Sequence, residues 1–338
     1  MTDNSFISGK TKVYIHAACN VFYASYYIAG MKLFFGKRNV YFNVSRFPRF
    51  NEDLFAAIIE TQGLQKKIII DFLDDSKINN DALSWCDIYG KVNLEKSTYD
   101  NQPQPAKIIP VGPYFSIRIW NLSTTVYYAI SNFLKAYKVL HGYKKFLSNY
   151  KQQYSRSPID AYTPGKSLNN YVFMLNSIWK RSPQTNNNRL SFIKACKSIK
   201  ELAFEGGFAP RQNKDFTDFD AYTTSKWYPV KSYIEKTKQS AVVYNTPAVL
   251  GCHGWKLGEF LAMGKAMIST PLSRLMPADL INQVHYYEVN DSTNYAEAIQ
   301  QLLIDDALRQ KLERNARDYY EKYLSPQQVI AGIIASLL

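Results

Sequence analysis

Cysteine is scarce in this chain and never clustered. Cys19, Cys86, Cys196 and Cys252 stand far apart with no Cys-x-x-Cys pair. Zinc-site spacing is therefore absent, and no disulfide framework can be read. A reducing cytoplasm is the expected compartment. The stretch Met1–Ile15 lacks a basic segment followed by an apolar run and a small-residue cleavage site, so no signal peptide is read there. Residues 13–31 carry no charge, but they include His16, Asn20, Ser25, Tyr14, Tyr23, Tyr26 and Tyr27. That polarity suits a buried strand, a turn and a helix better than a membrane span. Acidic residues are missing altogether from Asn101 to Ile159, a stretch that holds eight Lys and Arg.

The 338 residues carry a formal charge of +13, with 46% hydrophobic and 20% charged residues. This is a globular composition with room for about two domains. It excludes wholesale disorder and needs neither metal nor disulfide to hold a core. The charge is uneven: residues 1–169 hold 21 Lys and Arg against 12 Asp and Glu, and the remainder is only +4. With 26 Tyr, 19 Phe and 5 Trp, a basic aromatic surface can face nucleic acid, anionic lipid or a phosphorylated ligand. It is equally the ordinary surface of a basic soluble enzyme.

The N-terminal half alternates element signals. Strands are expected at Lys12–His16, Val40–Val44, Lys67–Phe72 and Lys107–Val111, and a helix at Asn51–Gln62. A long helix is expected from Ser123 to Gln152, with Val126, Ile130, Phe133, Tyr137, Leu140 and Leu147 on one stripe and lysines between them. It can pack that stripe on a core, or lie on an anionic membrane surface. The polar segment Gln152–Asn170 contains Pro158, Pro164 and Gly165 and marks the domain boundary. Alternation resumes beyond it. Strands are expected at Tyr171–Leu175, at the run ending in Gly206-Gly207, at Ser240–Tyr244 and at Ala266–Ser269. Helices are expected at Arg189–Lys200, Trp227–Lys236, Lys256–Met263, Asn294–Ile304, Ala307–Lys322 and from Pro326 onward. The pattern is α/β, with parallel sheets covered by helices.

Residues 240–271 read as strand, glycine-rich loop, short helix, glycine stop and strand. Gly251, Gly254 and Gly258 allow close backbone approach. The helix starting near Trp255 aims its N–H groups at the loop, which makes an anion site. His253 and Lys256 add donors, and Glu259 lies one turn into the helix, where it can accept from sugar hydroxyls.

The run from Gly258 to Lys265, followed by Met267-Ile268-Ser269-Thr270, resembles the donor-site signature of GT-B glycosyltransferases. It is closest to the retaining family 4 type of bacterial polysaccharide assembly, such as capsule or O-antigen synthesis. The resemblance covers about residues 170–325. It implies two Rossmann-like domains facing a central cleft. An acceptor domain would span 1–169, a nucleotide-sugar domain 170–325, and a helix at 326–338 would cross back to the first. Glu259 matches the family glutamate that binds the nucleotide ribose. The family's other glutamate falls at Gly251 here, so His253 or Lys256 is the expected replacement for its sugar contact. Lys180, Arg181 and Arg189 are candidates for the family's diphosphate-binding basic pair, and Glu205-Gly206-Gly207 resembles the turn beside the nucleotide. Together with Gly254 and Trp255, these form the expected donor site.

The implied activity is metal-independent, retaining transfer of a hexose from a UDP- or GDP-linked sugar, with no cofactor. The acceptor would be a glycan or a polyprenyl-linked glycan at the inner face of the plasma membrane. Lys256 would stabilise the leaving diphosphate. Were the reaction inverting, His16, Asp74 or Asp75 would be the candidate base. A sugar-nucleotide epimerase shares this fold and is the alternative. Nucleic-acid binding is disfavoured, because the basic residues follow no known module.

Overall fold

The computed structural model describes residues 11–50, 52–211 and 215–337. Residues 1–10, part of the stretch read as lacking a signal peptide, lie outside these, as does Leu338 at the end of the last expected helix. The chain divides into two compact units. One comprises residues 1–159, 274–278 and 322–338; the other comprises 160–273 and 279–321. Among the described residues no helix is long and apolar enough to cross a membrane.

The first unit is built on β1 (Lys12–His16), α1 (Val21–Phe35), β2 (Val40–Asn43), β3 (Leu54–Thr61), β4 (Leu64–Asp71), α2 (Asn80–Trp85), β5 (Ile88–Lys91), α3 (Lys96–Asp100), β6 (Ile108–Pro110), α4 (Leu122–Ala136) and α5 (Tyr143–Tyr154). Its six-stranded sheet has the order β2-β1-β3-β4-β5-β6. All its strands run parallel except β3, which is antiparallel to both neighbours. The carboxyl ends of the parallel strands therefore share one edge, where His16, Asn43, Asp71 and Lys91 lie.

Two expectations fail here. Asn51–Gln62 is not a helix; its described part contains β3. Leu54 through Ile59 are all buried, so the run has no polar face to give a helix an outside. Gln62 and Gly63 both take positive φ, 48° and 81°, the two-residue turn that joins antiparallel strands. The long helix expected over Ser123–Gln152 is two helices, broken between Ala136 and Gly142. Gly142 adopts φ −163°, ψ 104°, an extended conformation that begins the second helix as its N-cap. The pair closes through Phe133 against Phe146 and an Asn132–Tyr150 hydrogen bond of 3.0 Å.

The second unit contains β7 (Tyr171–Asn176), α6 (Pro183–Ser198), β8 (Ala203–Phe208), α7 (Val230–Gln239), β9 (Val243–Asn245), α8 (Trp255–Ala262), β10 (Met267–Ser269), β11 (Tyr287–Glu288), α9 (Tyr295–Ile304) and α10 (Asp306–Tyr319). All of its strand pairs are parallel. A β7–β8 pair and a β11-β10-β9 sheet are tied where Ala241 N–H donates to Tyr171 O and Phe173 N–H to Ser240 Oγ. The core beneath holds Val172, Phe192, Ile193, Val242, Ile268, Ile299 and Leu302. The last helix, α11 (Pro326–Ala335), belongs to the first unit. It packs along α1, and Tyr26 Oη donates to Leu324 O at 2.6 Å.

Glu205, on β8, is a structural anion. It accepts from Tyr171 (2.7 Å), Tyr228 (3.0 Å), Lys226 (3.2 Å) and Lys236 (2.6 Å). Burial alone would raise its pKa, but these donors, Lys236 foremost, hold it down to about 2 from an ordinary 4.5. Because the folded value is depressed, the stabilisation is full above about pH 4.5 and is lost as pH falls towards 2. Thermal melts between pH 6 and 2.5 should show this loss, and Glu205→Gln should flatten it. Identical pH profiles for the two proteins would refute the assignment.

Candidate functional site

In the second unit the chain runs from β7 through α6 to β8, then returns to place β9 on the other side of β7. Strand order reverses there, and in open parallel sheets such a point leaves a crevice at the strands' carboxyl ends. The structure has an open cleft of about 370 Å³ at this place, a size suited to a small ligand. Segments after three strands line it: Arg181–Thr185 after β7, Thr246–Ala248, Leu250 and Gly251 after β9, and Thr270 after β10.

Local chemistry fixes these segments. Asn186 holds the loop after β7 at both ends of Trp179, accepting from its N–H (3.0 Å) and donating to its carbonyl (2.9 Å). Arg189 donates to Ser177 O at 2.7 Å. Thr185 Oγ donates to Pro247 O at 3.0 Å, joining the loop after β9 to α6. Ser182 precedes α6 without capping it through its side chain, so the first turn presents backbone donors and a positive dipole end to the cleft. Leu250 and Gly251 take φ 57° and 71°. Position 251, where the resembled family has a glutamate, thus has a backbone that favours glycine.

Helix α8 carries the second group of functional side chains. Gly254 is its N-cap, with φ −75° and ψ 172°, and Trp255 begins the first turn. Lys256 Nζ donates to Tyr233 Oη at 3.0 Å, and Tyr233 Oη donates to Glu259 Oε2 at 3.0 Å. Tyr233, on α7, thereby links a cation to a buried carboxylate; Glu259 is 4% exposed. Burial lowers the Lys256 pKa to about 8; the Glu259 charge opposes this and the Arg189 charge adds to it. Burial likewise lowers Arg189 to about 10. Burial thus disfavours both cations, and a bound anion would favour their charged forms. A small cavity lined by Lys256, Tyr233, Tyr244 and Asn176 lies at the end of β7. Asn176 Oδ1 is buried there and makes no hydrogen bond among the described residues.

The structure thus groups Lys256, Glu259 and Arg189. His253 is buried in the loop just before α8. Lys180 is different: it is exposed and paired with Asp215 at 2.9 Å. Gly206 and Gly207 do not form a turn. They lie inside β8, opposite Met174 and Leu175, with φ 101° and 130°. Any Cβ there would collide with Met174 O and Tyr222 O respectively, so backbone packing accounts for both glycines. His16 and Asp74 lie in the first unit, at and just beyond the carboxyl ends of β1 and β4. His16 packs on Phe47 and Phe50, and burial lowers its pKa to about 4. Asp74 is exposed, and its charge reaches Tyr23 at the start of α1.

Tyr233 was not expected from sequence. It sits on an amphipathic helix beside the buried Ile234 and Thr237, and nothing in that pattern separates a functional tyrosine from a packing one. Its replacement by phenylalanine should leave the fold intact while removing the link between Lys256 and Glu259. Affinity for an anionic ligand at Lys256, probed with inorganic pyrophosphate, should fall about tenfold, the worth of one charge-assisted hydrogen bond. Calorimetric titration measures this directly, and wild-type affinity would exclude a role for the hydroxyl.

No protein-family model and no curated protein sequence matches the chain. Among solved structures, the chain is similar to HepE from Anabaena in complex with UDP, at 12% identity over 79% of this chain and 72% of that one, with a TM-score of 0.45. It is similar to a glycosyltransferase from Rickettsia africae at 11% identity over 79% and 69%, with a TM-score of 0.43. It is also similar to the C-terminal domain of a group 1 glycosyl transferase (LpcC) from Francisella tularensis, at 17% identity over 48% and 88%, with a TM-score of 0.33.

Proposed function

We propose that the protein is a GT-B-type glycosyltransferase whose second unit binds a nucleotide-sugar. The observation that carries this reading is the cleft at the strand-order reversal of the second unit; the buried Lys256–Tyr233–Glu259 cluster lies in the same unit, outside the lining of that cleft. In sugar transfer from a nucleotide donor, negative charge develops on the departing diphosphate. Arg189, Lys256 and the first turn of α6 supply positive potential with little reorganisation. Glu259 is a buried carboxylate one helical turn from Lys256, placed to accept hydrogen bonds from the donor's sugar hydroxyls. The donor is a UDP- or GDP-linked hexose, and the acceptor is a glycan, free or polyprenyl-linked. The transfer retains anomeric configuration and needs no metal, so the rate should be insensitive to EDTA.

A thermal-shift and calorimetric screen against UDP, GDP, CMP, dTDP and ADP tests the donor assignment. Stabilisation by UDP or GDP, followed by transfer from the matching nucleotide-sugar, supports it. Indifference to all five nucleotides would overturn it. Conversion of the donor sugar to an epimer without acceptor would replace transfer by epimerisation. NMR of the product anomer decides between retention and inversion, and inversion would direct attention to His16 and Asp74.

A further inference from the structure

Helix α4 wears its apolar face outward. Leu122, Val126, Ile130 and Leu134 recur every four residues and are 58%, 48%, 56% and 65% exposed. Its inward positions include polar Thr125 and Asn132, both buried. Of the expected stripe, Val126 and Ile130 therefore face outward, whereas Phe133 packs on Phe146. Tyr127, Tyr137, Tyr143 and Leu147 extend the exposed apolar surface around α4 and onto α5. Four residues at successive turns make a ridge about 18 Å long, at 1.5 Å per residue.

The charge around the ridge has one sign. Lys135, Lys138, Lys144 and Lys151 are exposed on or between the two helices. α4 also packs beside β2, and exposed Lys37 and Arg38 lie just ahead of that strand. The segments 11–50 and 101–159, which form α1, β2, α4 and α5, contain no Asp or Glu. Among the described residues, the carboxylate paired with an α5 lysine is Glu52, 3.3 Å from Lys145 Nζ.

An apolar ridge on a monomer's surface marks a contact site. A protein partner would need an apolar groove with an acidic rim. An anionic bilayer supplies apolar depth and negative headgroups together, over an area that needs no shape match. We infer that the α4–α5 face docks on anionic phospholipid membranes, with Leu122, Val126, Ile130 and Leu134 entering the acyl boundary and the lysines meeting headgroups. This does not rest on the sugar-transfer reading, since the surface belongs to the first unit and uses none of the proposed donor-site residues.

Flotation of the full chain with phosphatidylcholine vesicles, with and without 30% phosphatidylglycerol, tests the inference at roughly physiological ionic strength. The chain should float with the anionic vesicles only. The double variant Ile130→Ser/Leu134→Ser should lose roughly a hundredfold in partitioning, from the apolar area no longer buried. The variant Lys138→Gln/Lys144→Gln should bind more weakly and with a smaller salt dependence. All four positions are exposed, and unchanged melting curves confirm that the variants fold. Failure of the wild-type chain to float would overturn the inference, as would a serine variant that floats like wild type. So would a concentration-dependent dimer that the serine variant abolishes, because the ridge would then serve a second copy of the chain. Nucleotide-induced stabilisation measured without lipid tests the donor site separately.

Discussion

Lys256→Met should weaken nucleoside-diphosphate binding by about a hundredfold and leave the folded state intact. The ammonium is held in a site where burial has already lowered its pKa to about 8. A charged hydrogen bond to phosphate in such surroundings is worth roughly 2–3 kcal/mol. Methionine keeps the apolar stem but leaves the buried Glu259 carboxylate without its nearby cation, so Tm should fall while the chain still folds, and melting curves accompany the titrations. A pH dependence follows. A bound diphosphate favours the protonated lysine, so affinity is full below about pH 8 and declines as pH rises through it. The terminal phosphate is already ionised there and adds no opposing trend. Titrations at pH 7 and 9 should differ for the wild type and coincide for the methionine variant. Equal affinity of the two proteins at pH 7 would remove Lys256 from the site.

Gly30→Ala should destabilise the first unit severely. Gly30 lies where α1 crosses α11, and a Cβ built on it would collide with Pro326 O and the Ile330 side chain. A backbone oxygen cannot rotate away, so the helices must separate along the interface that also contains the Tyr26–Leu324 hydrogen bond. Overpacking of this kind costs about 1–3 kcal/mol or more, a fall of roughly 5–10 °C in Tm. Gly332 is the control. It lies within α11, and a Cβ there meets nothing within 4 Å. Gly332→Ala should be neutral or raise stability by up to about 1 kcal/mol, because alanine favours helix. A Gly30→Ala protein that melts with the wild type would show that the two helices do not pack this closely.

The second unit was largely legible in the sequence because its local signals agree with its tertiary role. Strand, glycine loop and short helix over residues 240–271 occur close to where expected, and Lys256 and Glu259 lie on α8. The first unit was harder to read. Residues 54–59 are apolar throughout, and a strand buried on both faces gives no period of two to distinguish it from a buried helix. The Gln62-Gly63 turn was the overlooked signal. For α4 the period was legible and the direction stayed open, since an apolar stripe at helical spacing carries no label saying whether core or surroundings will cover it. Tyr233 and Asn176 escaped for another reason. Their importance comes from neighbours far away in sequence, and a tyrosine–lysine–glutamate bridge between α7 and α8 leaves no spacing to find.

The division of the first unit into separated stretches of chain also sets an order of events during synthesis. Helix α1 is made early, but α11, which covers it, is made only after residues 160–321. The wall that covers α1 is thus the last element of the chain to be made. Until α11 arrives, the face of α1 around Gly30 and Met31 must wait uncovered.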